Sequence, residues 1–526
     1  MRKRISLVAI MTSLLALTAC AGEALSPTPN IIYILADDMG YGDVSALNSA
    51  SGIPTPNIDR IASGGMTFTD AHTPSSVCTP TRYGLLTGRY AWRTSLKNGV
   101  LKGHSSPLID PDRETVASFL KGQGYRTACV GKWHLGMEWV SSDGAKVHGP
   151  TGKNADVSSP VTAGPVDAGF DYYFGISASL NMPPHAYMEN NMLLGKVEYL
   201  EGKEQLQKAA IQGKDGWWDP AYRQEDVLPE FTDRAIQWME NHLSAHPEDP
   251  FFLYMPLNAP HAPIVPNEEF AGQSRLGKYG DFCMEVDWSV GMLLDWLDKK
   301  GLSDNTLVIF TADNGCSPQA GFEKLQAQGH YPSYIFRGLK GSLWEGGHRV
   351  PFLARWPAFI DKGTVSDLTV CLTDLMATLA DLTGEPMEPG VGEDSFSFLE
   401  ALYGGTPAWA EERGIVHHSD AGHFAIRRGK WKLLLHEKGG TRRHNPKDQP
   451  LINPAAVQLF DMQNDPSETT NIQHLHPKVV EDLKKLLAGY IMEGRSNPGP
   501  RVSNDPSTRW PQIEILEDHL RKKPES

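Results

Sequence analysis

Acidic, basic and imidazole side chains follow short apolar runs at several points of the sequence. NIIYILA at 30–36 runs into Asp37-Asp38, and TACV at 127–130 runs into GKWHLG, which carries Lys132 and His134. FFLYM at 251–255 leads to PLNAPHAP with His261, and TLVIF at 306–310 leads to TADNG with Asp313 and Asn314. Oxygen side chains without a Cys/His cluster suit a hard cation, Ca²⁺ or Mg²⁺, better than zinc. Histidines at such positions suit proton transfer, and lysines suit an anionic ligand. Each group also has a plainer reading: an acidic pair can cap a helix, Asp-Asn-Gly is a turn sequence, and a histidine can simply be hydrogen-bonded. A further stretch, SSVCTPTR at 75–82, sets Cys78 just before Pro80, a residue tolerated in a first helical turn, with Arg82 four positions on and so on the same face. A thiol among free N–H groups and beside a cation suits anion chemistry, but free cysteines are also among the most buried residues, and spacing leaves both readings open.

These residues need a common scaffold. Short runs that are apolar on both faces fit buried parallel strands, and in open α/β sheets ligands bind beyond the carboxyl ends of such strands. Amphipathic segments at 113–124, 232–243 and 282–301 supply helices to cover the sheet. The expected fold class is therefore α/β, a large, mixed but mostly parallel sheet sandwiched by helices. From about residue 386 the texture changes. GIVHHSD, HFAIRRGKWKLLL and AVQLFDM alternate like antiparallel strands, an amphipathic helix begins near Lys478, and WPQIEILEDHL is the one docking element expected in a Pro-rich tail. The division expected is 30–385 for the catalytic domain and 386–526 for a smaller C-terminal antiparallel sheet with its helix and tail.

The first nineteen residues read as an export signal, with MRKR before ISLVAIMTSLLALTA. LTAC at 17–20 resembles a bacterial lipobox, so Cys20 is the expected lipid anchor and 20–29 the tether; an ordinary secretory cleavage nearby is the alternative. The protein is accordingly expected outside the cytoplasm, periplasmic or membrane-anchored as a lipoprotein, with no other membrane contact. A net charge of −14 argues against nucleic acid as a partner. Of six cysteines, Cys20 belongs to the signal, and the remaining odd number implies at least one unpaired or chemically used thiol.

CTPTR at 78–82, continued by LLTGR at 85–89, resembles the C-x-P-x-R signature of the type I sulfatases. The resemblance extends through NIIYILADDMGYGD, TPNIDRIASGGMTFTDAHT, GYRTACVGKWHLG, PHAP, TADNG and GLKGSLWEGGHRVP, and LFDMQNDPSETTNI resembles that family's C-terminal subdomain. It implies an alkaline-phosphatase-like fold and oxidation of Cys78 to Cα-formylglycine by a separate maturation enzyme. It further implies a calcium ion, or magnesium, among Asp37, Asp38, Asp313, Asn314 and matured Cys78. Arg82 would hold the aldehyde hydrate, Lys132 and Lys340 would grip sulfate, His261 would protonate the leaving oxygen, and His134 would act as base. The implied substrate is a sulfated carbohydrate, with galactose or N-acetylgalactosamine sulfates, at O6, as the first candidates. A general arylsulfatase, a phosphonate or phosphate ester hydrolase, and a silent glycan-binding lipoprotein are the rival readings. Substrate contacts are expected from His185 and Tyr187 in the loop 176–191 and from His423, with Asp420 at the rim, and the basic run 436–447 could meet a second sulfate.

Overall fold

A strand that is apolar at every position buries both faces only inside a sheet covered on both sides, and that is where these runs lie. The computed structural model describes residues 28–147, 149–505 and 511–521; the signal segment, Cys20 and most of the tether lie outside the described residues. The strand Asn30–Ala36 is central, flanked in parallel by Thr306–Ala312 and Phe251–Pro256. Arg126–Lys132 and Tyr172–Ile176 extend the parallel block, and antiparallel strands complete a ten-stranded sheet. Alternation along the central strand sends Ile32, Ile34 and Ala36 into one apolar cluster and Ile31, Tyr33 and Leu35 into the other. Helices Pro56–Ser63, Val227–Ala245 and Lys278–Lys300 cover the first face, and Cys78–Thr87, Val116–Gly122 and Leu375–Thr383 cover the second.

The C-terminal sheet is antiparallel as expected, ordered Gly414–His418, Phe424–Arg428, Trp431–Leu434 and Gln458–Asp461. The alternating pattern, however, does not mark a solvent face. Val416, Phe424, Ile426, Leu433 and Leu459 pack with Leu483 and Leu487 of the helix Pro477–Glu493. On the opposite face Ala425, Leu434 and Phe460 pack with Leu343 and Trp344 from the larger part of the chain. The polar residues of that face, Lys432, Arg427 and His417, are buried there too. Lys432 lies 2.8 Å from Glu345 and 2.7 Å from Glu468, with the His348 ring 3.0 Å away. His348 reaches His72 at 3.0 Å, and His72 reaches Asp70 at 2.8 Å, where Arg427 and Arg349 also converge. Ile513 and Leu516 of the tail join the same cluster as the helix, so the tail docks where its apolar residues allow.

One buried carboxyl makes the stability of this scaffold pH-dependent. Glu285, on the helix Lys278–Lys300, accepts a hydrogen bond from the Asn267 backbone at 2.8 Å through Oε2, while Oε1 is buried without a partner among the described residues. Burial pushes its pKa up to about 8. A raised carboxyl binds its proton more tightly when folded, so stability is expected to fall as pH rises from the ordinary glutamate range through about 8. Glu285→Gln keeps the acceptor for Asn267 and removes the charge. Its unfolding free energy is expected to exceed that of the parent by about 4 kcal/mol at pH 8.5 and to match it near pH 4. Urea titrations at the two pH values measure both differences, and a gain that is the same at both would show that ionisation is not the cause.

Candidate active site

The carboxyl ends of the parallel strands bring the polar clusters together. Ala36 pairs with Ala312, the Asp313 N–H donates to the Ala36 carbonyl at 3.0 Å, and the two acidic segments therefore leave the sheet side by side. Lys132 ends its own strand next but one, and Gly131 before it must be glycine: φ is +146°, and a Cβ there would stand 1.9 Å from the Pro256 carbonyl. Asp38 and His134 hold left-handed φ of 67° and 59°. Non-glycine residues adopt this conformation at a cost, which surrounding structure must hold in place.

Cys78 opens the helix Cys78–Thr87, every residue of which is buried, and Gly88 ends it with a left-handed φ of 61°. The Cys78 sulfur stands 3.3 Å from Lys340 Nζ and 3.7 Å from Asp37 Oδ1. Burial pushes this thiol up, but Lys132 and Lys340 outweigh it and bring its pKa down to about 7. Cys129, Cys283, Cys316 and Cys371 are also free and buried, but burial shifts each of them upward. Environment thus separates one reactive thiol from four inert ones.

Around Cys78 three carboxylates meet three cations. Lys132 Nζ donates to Asp37 at 2.7 Å, Lys340 donates to Asp38, and Arg82 donates through Nε and Nη2 to Asp313 at 3.0 and 2.7 Å. Arg82 Nη1 also donates to the Lys132 carbonyl at 2.9 Å, so it braces the strand end as well as carrying charge. Burial raises the Asp38 pKa, but Lys340 and His261 overcome it and hold the carboxyl below the ordinary range. Asp313 shifts the other way, raised by burial and by Asp37. Two oxygens in this crowd, Asp38 Oδ2 and Asn314 Oδ1, are buried without a hydrogen-bond partner among the described residues. Unpaired buried acceptors next to clustered carboxylates fit a hard cation. One ligand atom each from Asp37, Asp38, Cys78 and His261 also lie within 4.8 Å of one another.

His261 is better suited to donate a proton than to ligate. Burial opposes its charge, yet Asp37 and Asp38 prevail and raise its pKa, and Nε2 stands 3.8 Å from Asp38. His134 is the opposite case. Burial, Lys132 and Arg82 hold it well below the usual histidine range. Its Nε2 lies 3.0 Å from the Leu101 carbonyl, which can only accept, so the proton sits on Nε2 and leaves Nδ1 with a free lone pair. Two imidazoles pushed apart in this way are suited to act as an acid and a base.

Thr79 is a positioning residue that the sequence does not single out. Its hydroxyl donates to the His134 carbonyl at 3.0 Å and accepts the Leu101 N–H at 3.2 Å, tying the Cys78 helix to the base. The substrate-loop candidates fare unevenly. Tyr187 stacks on Phe174 at 5.2 Å and meets Tyr222 at 5.1 Å, so its ring packs against the core, not into a pocket as expected. His185 is buried, with Nε2 2.9 Å from the Lys214 carbonyl. His423 lies against the His436 ring at 4.2 Å, and burial brings its pKa down to about 4. Asp420 reaches the rim: its N–H donates to the Gly341 carbonyl at 3.0 Å, beside Lys340.

Known proteins carry the same arrangement of chain. The chain is 35% identical over 507 residues to N-acetylgalactosamine-6-O-sulfatase of Bacteroides thetaiotaomicron, covering 88% of this chain and 93% of that protein. It is 32% identical to human arylsulfatase A, covering 90% of this chain and 89% of that one. A solved structure described under metabolism of multiple glycosaminoglycans by Bacteroides thetaiotaomicron superposes with a TM-score of 0.76 at 34% identity, covering 88% of this chain and 99% of its own. The sulfatase family model matches residues 29–385, the stretch that supplies Asp37, Cys78, Lys132, His134, His261, Asp313 and Lys340. With the family model covering residues 29–385 and relatives of 35% and 32% identity aligned over about nine-tenths of the chain, the chain belongs to the sulfatase family and is a sulfuric ester hydrolase.

Proposed function

We propose that the protein removes sulfate from the O6 position of galactose or N-acetylgalactosamine residues in carbohydrates, using a nucleophile made by oxidation of Cys78. The observation that carries the reaction is the pairing of a neutral His134 with a raised His261 around the one thiol, among the described residues, whose pKa falls. Sugar and position are taken from the relative that is named for them. Asp37, Asp38, Asp313 and Asn314 would hold a divalent cation, Ca²⁺ or Mg²⁺, which when bound supplies positive charge against sulfate oxygens.

The chain's own residues account for the rest. Lys132 and Lys340 flank the nucleophile position and neutralise the sulfate as charge builds on it. One hydroxyl of the hydrated aldehyde at position 78 passes its proton to Asp37, whose Oδ1 stands 3.7 Å from the Cys78 sulfur, and attacks sulfur; the S–O bond to the sugar breaks, and His261 gives its proton to the leaving sugar oxygen. His134 Nδ1 then takes the proton of the second hydroxyl, so that the carbonyl re-forms as the C–O bond to sulfate breaks. Export as a lipoprotein through Cys20 completes the reading; none of the helices among the described residues is long and apolar enough to cross a membrane.

Mass spectrometry of the Cys78 peptide from active protein is expected to show the aldehyde. That protein is expected to hydrolyse 6-sulfated N-acetylgalactosamine or galactose faster than the 4-sulfated sugars, aryl sulfates or aryl phosphates. Faster phosphate turnover would place the chain with the phosphonate and phosphate ester hydrolases, and binding with no turnover after confirmed maturation would make it a silent glycan-binding protein. Removing divalent cations with a chelator is expected to lower activity at least ~100-fold and to leave Ca²⁺ or Mg²⁺ able to restore it; full activity in chelator would refute the cation site.

A further inference from the structure

The segment Leu101-Lys102-Gly103 is fixed to the reacting centre on both sides. The Leu101 N–H donates to Thr79 Oγ1 at 3.2 Å, one residue from the nucleophile, and the Leu101 carbonyl holds His134 at 3.0 Å. Gly103 is flush against the loop that follows the Tyr172–Ile176 strand, since a Cβ there would lie 1.8 Å from the Pro183 carbonyl and 3.0 Å from Ser177 Oγ. Lys214 stands on the far side of the same loop: its N–H donates to the Asn181 carbonyl at 3.2 Å and its carbonyl accepts from His185. Lys102 and Lys214 thus flank one loop beside the catalytic residues. Burial and Lys214 both depress the Lys102 pKa, while the Cys78 side chain opposes them, so the two ammonium groups and the nucleophile position feel one another.

Neither ammonium makes a hydrogen bond or ion pair with another described residue, although the chain carries a net −14 and has carboxylates to spare. For half-buried Lys102, burial and the neighbouring Lys214 disfavour the charge, a cost that an anionic ligand would offset, and exposed Lys214 is open to the same ligand. The loop between them carries a second, independent sign of a ligand. Ser177 Oγ and Ser179 Oγ are buried with both residues 2% exposed, Asn181 Oδ1 is buried too, and none has a hydrogen-bond partner among the described residues. Such groups match the hydroxyls of a sugar. The basic run 436–447, expected from sequence to meet a second sulfate, is a weaker candidate, because Arg443 lies 3.6 Å from Asp420 and Lys438 lies 3.9 Å from Glu437.

We infer that Lys102 and Lys214 form a second anion subsite, which takes the acidic group of the sugar next to the sulfated one. This rests on the carbohydrate reading above. The acidic group is a uronate carboxylate or a further sulfate, and the substrates separate the two. Matured protein is assayed with four compounds: a 6-sulfated N-acetylgalactosamine monosaccharide, its disaccharide with a uronic acid, the same disaccharide with the carboxyl reduced, and a neutral disaccharide bearing a second sulfate on the neighbouring sugar.

The parent enzyme is expected to prefer at least one acidic disaccharide over the carboxyl-reduced one by about tenfold in kcat/KM, and the compound preferred identifies the group. Lys102→Met/Lys214→Met is expected to abolish that preference while monosaccharide turnover changes less than twofold. Lys102→Arg/Lys214→Arg is expected to retain it, and raised salt to weaken it in both the parent and the double Arg variant. Equal losses on all four compounds, or a preference that survives the double Met variant, would overturn the subsite. Monosaccharide turnover without any charge preference would overturn it alone, whereas a matured parent inert on every sugar would overturn the carbohydrate reading and the subsite with it.

Discussion

Cys78→Ser protein, made in a host that oxidises Cys78 of the parent chain, is expected to lose at least ~10⁴-fold in turnover and to accumulate a sulfate ester on the introduced hydroxyl, measured by mass spectrometry as a covalent adduct after one round. A serine at position 78 offers one hydroxyl to sulfur, in a place where Lys132 and Lys340 already lower the cost of an anionic nucleophile. On the proposed mechanism it lacks the second hydroxyl, whose deprotonation by His134 would expel sulfate. His134 would then have only water to activate, in a site where Cys78 itself is 2% exposed. Cys78→Ala, which has nothing to sulfate, should lose as much activity and show no adduct. A burst of one sugar per enzyme, followed by arrest, is the kinetic form of the serine result. Steady turnover by either variant would remove position 78 from the chemistry altogether.

Lys432→Met is expected to cost about 3–5 kcal/mol of stability, the range for breaking a buried ion pair by removing one partner. Lys432 has a fully buried side chain and neutralises Glu345 and Glu468 at 2.8 and 2.7 Å, one from the larger part of the chain and one from the C-terminal part. Without it two carboxylates face each other out of water. Burial and Glu345 already push Glu468 up to about 7 even with the lysine in place. The loss should therefore shrink when Glu345→Gln and Glu468→Gln are added, because neutral amides remove the repulsion. Denaturant unfolding of the single and triple variants measures both effects. Equal destabilisation in the two would mean that packing, not charge, is what Lys432 contributes.

The parts of the site that are legible in the sequence share a physical cause. Strand-end residues such as Asp37, Lys132 and Asp313 follow apolar runs whose burial forces parallel pairing, so their meeting at one edge comes with the fold. The contrast between His134 and His261 is not legible in the same way. It depends on which charges surround each ring, and only the implied roles suggest it. Lys102 and Thr79 escape notice because nothing local marks them: Thr79 meets a carbonyl 55 residues away. Tyr187 misleads because an aromatic residue in a Pro-rich loop suits a sugar pocket and a core equally well until its neighbours Phe174 and Tyr222 are known. The alternation in the C-terminal strands does mark antiparallel pairing. It does not disclose that the polar side of the sheet is buried against Glu345 and His348.

The bond between the C-terminal sheet and the segment before Cys78 has a consequence in time. Ser75 and Ser76, just before Cys78, are bonded to the His418 carbonyl, with Ser75 Oγ at 2.8 Å across a separation of 343 residues. Once that contact forms, the segment just before Cys78 is held to a residue 343 positions further along the chain. If a separate enzyme oxidises Cys78, as the proposed function requires, it would meet the segment most readily before that contact forms. At about 5–20 residues per second, the ribosome takes roughly 20–70 s to go from Ser75 to His418. Synthesis alone thus guarantees an interval of that length for maturation, and only delayed folding, as in a chain held unfolded for export, would lengthen it. A chain that folds before being oxidised would hold Cys78 as a buried thiol, 2% exposed.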